Sequence, residues 1–272
     1  MSEWFAGDVL AGDIRIHYYR TGGRKPPVVL LHGVTDNGLC WTRLARALQS
    51  RYDLIMVDAR GHGLSDAPES GYSPDDQAAD VAGLIQALGL GKPVVMGHSM
   101  GAATAMATAA RFAEHVGSLV LEDPPLFAPS QEHAGARAAE AAQWRAGILA
   151  NRAKTVEELA NLCRTQNPTW DEAECAPWAE SKRQVSPNIV AIVGAFSVDW
   201  QEAARRVTCP VLLITADTDK GALVTPEVAQ QALAFWPKGR LAHIPGAGHN
   251  IRREQFEAYL QAVTGFLAEV TP

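Results

Sequence analysis

The chain has 272 residues, 47% of them hydrophobic and 20% charged, which is the composition of a globular protein with a substantial core. Its net charge of −6, with no Lys/Arg run, argues against nucleic acid, because neutralising phosphates requires a basic face. The start MSEWFAGDVLAGD has no basic region followed by a long apolar one, and no apolar run approaches the roughly 18 residues of a membrane span.

In chain order, DIRIHYYRTG (13–22) alternates apolar and polar residues, as an exposed antiparallel strand does. PPVVLLHG (26–33) is a continuous apolar run ending in glycine, the pattern of a strand buried on both faces. GLCWTRLARAL (38–48) predicts a helix, and YDLIMVDARGHG (52–63) a second buried strand closed by a glycine-rich loop. In YSPDD, Ser73 can cap and Pro74 can open a helix whose Val81, Leu84, Ile85 and Leu88 fall at helical spacing. KPVVMGHS and VGSLVLEDPP (116–125) read as strands on either side of the alanine-rich helix MGAATAMATAARF. Later come CPVLLITADTD (209–219), a helix at about 226–235, GRLAHIPGAGH (239–249) and a last helix near 251–268.

Strands and helices alternating through short connections predict an α/β protein with a mostly parallel sheet and helices on both faces. The alternation fails between Pro124 and about Trp200, which holds helical patches but no convincing buried strand. We read 124–200 as a helical cap inserted into a core made of 1–123 and 201–272.

Ligands of such sheets gather beyond the carboxyl ends of the strands. Three reactive residues stand there: Ser99 after VVMGH, Asp219 after VLLIT, and His249 after RLAHI and a glycine-rich turn. A serine hydroxyl needs a base to take its proton, and a carboxylate on the base's other nitrogen fixes its tautomer. Gly97-His98-Ser99-Met100-Gly101 sits between a strand and a helix, where a sharp turn crowds anything larger than glycine. That turn puts the N–H of Met100 at a helix N-terminus, where developing negative charge is stabilised. Val34, just after His32-Gly33, has the position of a second such donor.

At this point the sequence resembles the α/β-hydrolase superfamily over nearly its whole length. The resemblance rests on LLHG (30–33), DARGHGLSD (58–66), GHSMG (97–101), PVLLITADTD (210–219) and IPGAGH (244–249), all in the superfamily's order. It implies an eight-stranded sheet with a substrate-binding cap, Ser99 as nucleophile, His249 as base and Asp219 as acid. The chain departs from the pattern near the acid, where Ala216 replaces the usual glycine and the loop after Asp219 is long. Asp217 is therefore a rival, as is Asp123 (or Glu122), because some branches carry the acid after the preceding strand.

His98 is expected to support the turn, and His32 and His62 to shape loops around the site. Trp41, Trp144, Trp170, Trp178, Phe196 and Trp200 are candidates for an apolar pocket, with Trp41 and Trp144 chosen as substrate-binding; each could equally be a core anchor. Cys40, Cys163, Cys175 and Cys209 form no CxxC pair and no zinc-ligand spacing, as expected of reduced thiols in a cytoplasmic protein. The expectation is a serine hydrolase of a small or medium carboxylic ester or lactone, with no metal or organic cofactor. Amide, thioester and C–C (β-diketone) hydrolysis are alternatives on the same constellation, and a non-catalytic ligand-binding protein is an alternative of a different class.

Overall fold

The predicted strands and one more join in a single eight-stranded sheet, in the order β1 (Phe5–Ala11), β2 (Ile14–Arg20), β4 (Asp53–Val57), β3 (Pro27–Leu31), β5 (Val94–His98), β6 (Ser118–Glu122), β7 (Val211–Ala216) and β8 (Gly239–Ile244). The computed structural model describes residues 4–127, 134–193 and 200–271. Strands β3, β4, β5, β6, β7 and β8 pair in parallel. At one edge β2 pairs antiparallel with β4, and β1 antiparallel with β2. β1 is an element the sequence reading did not anticipate. Only its last residue is buried, so it carries little of the hydrophobic signal that marks the inner strands.

Alternation along the strands feeds two cores. Val29, Leu31, Ile55, Val57, Val95 and Leu121 pack on one face against α2 (Pro74–Ala87), α3 (Met100–Arg111), α7 (Trp200–Arg206) and α8 (Pro226–Phe235). Val28, Leu30, Leu54, Met56, Val94 and Met96 pack on the other against α1 (Thr42–Leu48) and α10 (Phe256–Val270). With both faces covered, the inner strands are buried at every residue but Pro27, which is why they read as continuous apolar runs.

Local chemistry sets the helix starts. Ser73 and Asp76 form a reciprocal capping box at α2, with Pro74 in the first turn. The helix predicted over 38–48 begins instead as a 3-10 turn, Gly38–Trp41. A Cβ on Gly38 would stand 2.8 Å from the carbonyl oxygen of Met56, and the Gly38 amide donates to Asp58 Oδ1 at 2.7 Å, so this end is pressed onto β4. The last predicted helix is split into α9 (Ile251–Glu254) and α10.

Between β6 and α7 the described residues form α4 (Ala134–Arg152), α5 (Val156–Gln166), α6 (Glu172–Gln184) and a 3-10 turn, Pro187–Ile192, with no strand among them. Among the described residues no helix is long and apolar enough to cross a membrane.

Candidate active site

Ser99 stands between β5 and α3 with φ 52° and ψ −117°, a left-handed conformation rare for a residue with a side chain. Holding it there costs on the order of 1–3 kcal/mol, which the surrounding packing must supply. Its N–H donates to the Glu122 carbonyl at 3.0 Å, and its carbonyl accepts from Ala102 and Ala103 at 2.9 and 3.0 Å. The flanking glycines allow the close approach. A Cβ on Gly97 would lie 2.1 Å from the Gly101 carbonyl oxygen, and one on Gly101 would lie 2.1 Å from that of Leu31.

His249 follows β8 and the turn 245–248, and its Nδ1 lies 2.6 Å from Asp123 Oδ2. Asp123 follows β6, is fully buried, and has φ 42°. Its Oδ1 accepts from the amides of Leu223 and Val224 at 3.1 and 3.0 Å, and its Oδ2 from Leu223 at 2.9 Å. A carboxylate at Nδ1 keeps the proton there and leaves Nε2 as the basic nitrogen.

The acid expected at Asp219 therefore has to be corrected in placement. Asp219 lies in an exposed 3-10 turn, Thr218–Lys220. Asp217 is engaged elsewhere: Oδ1 faces His243 Nε2 at 3.1 Å and Oδ2 accepts the Gly246 amide at 2.7 Å, bracing the turn that leads to His249. The loop after β7 supplies two backbone amides to the carboxylate of Asp123 in place of a carboxylate of its own. Glu122, the residue beside Asp123, points to the far side and binds the Arg252 amide at 2.9 Å. The sequence signals were Ala216 in place of glycine and the acidic pair ending β6.

His98 Nε2 donates to the His249 carbonyl at 2.9 Å, with the two rings 4.7 Å apart. Burial, reinforced by the neighbouring His249 and Arg252, holds its pKa well below the ordinary histidine value. It is a neutral brace on the backbone of His249, in keeping with the supporting place read from the sequence.

The loop after β3 carries Val34. His32 Nδ1 donates to the Gly33 carbonyl at 2.8 Å while its Nε2 accepts the Ala59 amide at 3.1 Å. His62 Nε2 accepts the Thr35 amide at 3.2 Å and its Nδ1 donates to the Arg60 carbonyl at 2.9 Å. Burial, with the adjacent His32, lowers the pKa of His62 to about 3, and burial also lowers that of His32. Both are fixed, neutral loop clamps. Met100 is the first residue of α3, so its N–H is among the amides that a helix start leaves without an intrahelical acceptor. Val34 and Ser99 line the same cavity, whose volume is about 310 Å³.

His249, Trp170, Trp178, Lys182 and Arg253 share that cavity wall. The two tryptophans chosen from sequence stand elsewhere. Trp41 is fully buried in the core beneath the sheet with the Arg252 guanidinium 4.2 Å over its ring, because the 3-10 turn aims it inward. Trp144 is half-buried against the cluster of Tyr72, Met100 and Ile148, on which Val34 also packs, and does not line that cavity. Trp200 is in the core against Phe235, and Phe196 lies outside the described residues.

Sequence reading missed a buried ionic network beside the cavity. Lys182 Nζ and Arg253 Nη2 bind opposite oxygens of Asp36, each at 3.0 Å. Arg253 also reaches Glu174 at 3.2 Å, and Arg252 pairs with Glu122 at 3.4 Å. Burial opposes the charge of Asp36, but Arg253, Lys182 and Arg252 together outweigh it and hold the carboxyl well below the usual range. Nothing in the local sequence around Asp36 or Lys182, 146 residues apart, announces the pair.

A family model described as alpha/beta hydrolase fold matches residues 26–252. The chain is 32% identical over 271 residues to an N-formylmaleamate deformylase of Pseudomonas putida, covering 98% of each. It is 31% identical over 252 residues to a 2-(acetamidomethylene)succinate hydrolase of Mesorhizobium japonicum, covering 91% of this chain and 90% of that one. The crystal structure of an E-2-(acetamidomethylene)succinate hydrolase superposes with a TM-score of 0.82 at 28% identity, covering 98% of this chain and 100% of that one. The chain belongs to the alpha/beta hydrolase fold family.

Proposed function

We propose that the chain is a serine hydrolase that removes an N-acyl group from a small, carboxylate-bearing compound through an acyl-enzyme. Ser99 Oγ attacks the amide carbonyl while His249 Nε2 takes its proton, and Asp123 holds the imidazole in register. The N–H groups of Val34 and Met100 receive the oxyanion. Collapse of the tetrahedral intermediate breaks the C–N bond as His249 returns the proton to the leaving nitrogen. His249 then deprotonates a water, which attacks the acyl-enzyme, and returns that proton to Ser99 Oγ as the ester bond breaks and the acid leaves. Helices α4, α5 and α6 act as the cap, with Trp170, Trp178 and Lys182 on the cavity wall.

The carrying observation is that Ser99, in its left-handed turn, and His249, backed by buried Asp123, open on one cavity. The choice of an amide over the ester or lactone expected from sequence is supported by the relatives. Both near-full-length relatives are named for hydrolysis of N-acylated carboxylates, one formyl and one acetamido. A cavity of about 310 Å³ suits a compact substrate. Among the described residues Arg253, on its wall, donates once from each nitrogen, leaving a second N–H on each terminal nitrogen for a carboxylate.

The test is a panel of N-formylmaleamate, 2-(acetamidomethylene)succinate, their methyl esters, p-nitrophenyl acetate and γ-butyrolactone. The reading predicts that kcat/KM for a free-acid amide exceeds that for the simple ester and the lactone by at least about 100-fold, and that methylating the carboxylates lowers it. An ester or lactone turned over faster than every amide overturns the amide assignment. Tight binding of a panel member without any turnover returns the chain to the class of ligand-binding proteins.

A further inference from the structure

Lys182, on α6, lies 147 residues from Thr35 in sequence, yet its ammonium bonds to the loop after β3 while standing 4.9 Å over the Trp178 ring. Nζ donates to the Thr35 carbonyl at 2.9 Å, to Thr35 Oγ1 at 2.9 Å and to Asp36 Oδ1 at 3.0 Å. An ammonium has three donors, and all three are committed here. The side chain is 9% exposed, so its charge is withdrawn from water and depends on these acceptors.

Thr35 has φ 66°, a left-handed conformation that a β-branched residue avoids. The peptide planes on either side of it are both held. Its N–H is bound to His62 and its carbonyl to Lys182. One residue on, Asp36 is fixed through its carboxylate by Lys182 and Arg253, and its own N–H donates to the Gly33 carbonyl at 3.1 Å. That carbonyl also accepts from His32 Nδ1 at 2.8 Å. The Gly33 carbonyl and the Val34 N–H belong to one trans peptide and point in opposite directions. Holding the carbonyl toward Asp36 and His32 therefore sets the direction in which the Val34 N–H points.

The geometry points to Lys182 as a positioning residue for the oxyanion donor, fastening the helix that carries it to the loop 33–36 so that the Val34 N–H is aimed before substrate arrives. This rests on the proposed role of Val34 as an oxyanion donor. An oxyanion-hole donor is worth about 100- to 1000-fold in rate, so misaiming one without removing it should cost somewhat less.

The experiment compares wild type, Lys182→Met and Lys182→Arg on the best amide of the panel, and with a trifluoromethyl ketone analogue, whose hemiketal oxyanion occupies the same donors. Lys182→Met is expected to lower kcat by about 10- to 100-fold with KM within about threefold, and to raise the ketone Ki by a matching factor. Lys182→Arg, which keeps charge and donors, is expected to recover most of both. A fall confined to KM, or a ketone Ki that does not move, overturns the proposal. Should Lys182→Met fail to fold, Lys182→Gln is read by the same two quantities. If wild type does not bind the ketone, or Ser99→Ala binds it equally well, the serine-hydrolase reading falls and this inference with it.

Discussion

Asp123 Oδ2 and His249 Nδ1 stand 2.6 Å apart across 126 residues of chain, and no other carboxylate among the described residues is bonded to that ring. The carboxylate is clamped from behind by the Leu223 and Val224 amides, so its lone pairs are aimed before the imidazole arrives. The loop that would carry the acid in the expected arrangement instead orients one that belongs to the neighbouring strand.

Asp123→Asn keeps the shape but offers His249 Nδ1 an amide, which can stabilise the wrong tautomer. We predict a loss of about 10⁴ in kcat, with the folded state retained. Asp219→Asn, at an exposed position, should leave kcat/KM within about twofold, since surface substitutions away from such networks are nearly neutral. Steady-state kinetics of the two variants side by side decide the assignment. A large loss in Asp219→Asn together with an active Asp123→Asn would reverse it.

Glycine at 101 is required by sterics. A Cβ there would lie 2.1 Å from the Leu31 carbonyl oxygen and 2.7 Å from that of His32, and backbone cannot move aside cheaply. Gly101→Ala should destabilise the protein by about 3 kcal/mol or more in chemical denaturation. Gly147, in α4, meets nothing within 4 Å, so Gly147→Ala should raise stability by about 0.5–1 kcal/mol through helix propensity alone.

His62 gives a pH dependence with a definite sign. Burial depresses its folded pKa to about 3, whereas the unfolded chain protonates near the ordinary value of about 6.5. Between those values the unfolded state binds more protons, so stability falls as pH falls, by about 2 kcal/mol at pH 5 from this group. Burial also lowers His32 and His98, which act in the same direction, while burial raises Asp58, Asp80 and Glu122, which oppose it. The comparison that isolates the group is wild type against His62→Gln, whose amide oxygen can accept the Thr35 N–H in place of Nε2 and does not titrate. The variant should lose about 2 kcal/mol less between pH 7 and pH 5; parallel curves would show that His62 is not held neutral.

The parts of the site legible in sequence were those fixed by local backbone demands. Gly97 and Gly101 are required within five residues of one another, and the strand before Ser99 and the helix after it announce themselves by apolar pattern. The inner strands were readable because both their faces are buried, while β1, with one buried residue, was not. Asp123, Lys182, Asp36 and Arg253 depend on segments far apart in the chain, and each looks locally like an ordinary charged residue. Trp41 misled for a related reason: a position near the loop after β3 says nothing about which face of the 3-10 turn its ring occupies.

Covalent trapping decides whether Ser99 is the nucleophile of the proposed acyl transfer. Wild-type protein is treated with a fluorophosphonate, digested, and the adduct mapped by mass spectrometry alongside residual activity on the amide substrate. A single adduct on Ser99, loss of turnover in proportion to labelling, and no adduct in Ser99→Ala are expected. An adduct on another residue, or full turnover by a protein labelled at Ser99, would contradict it.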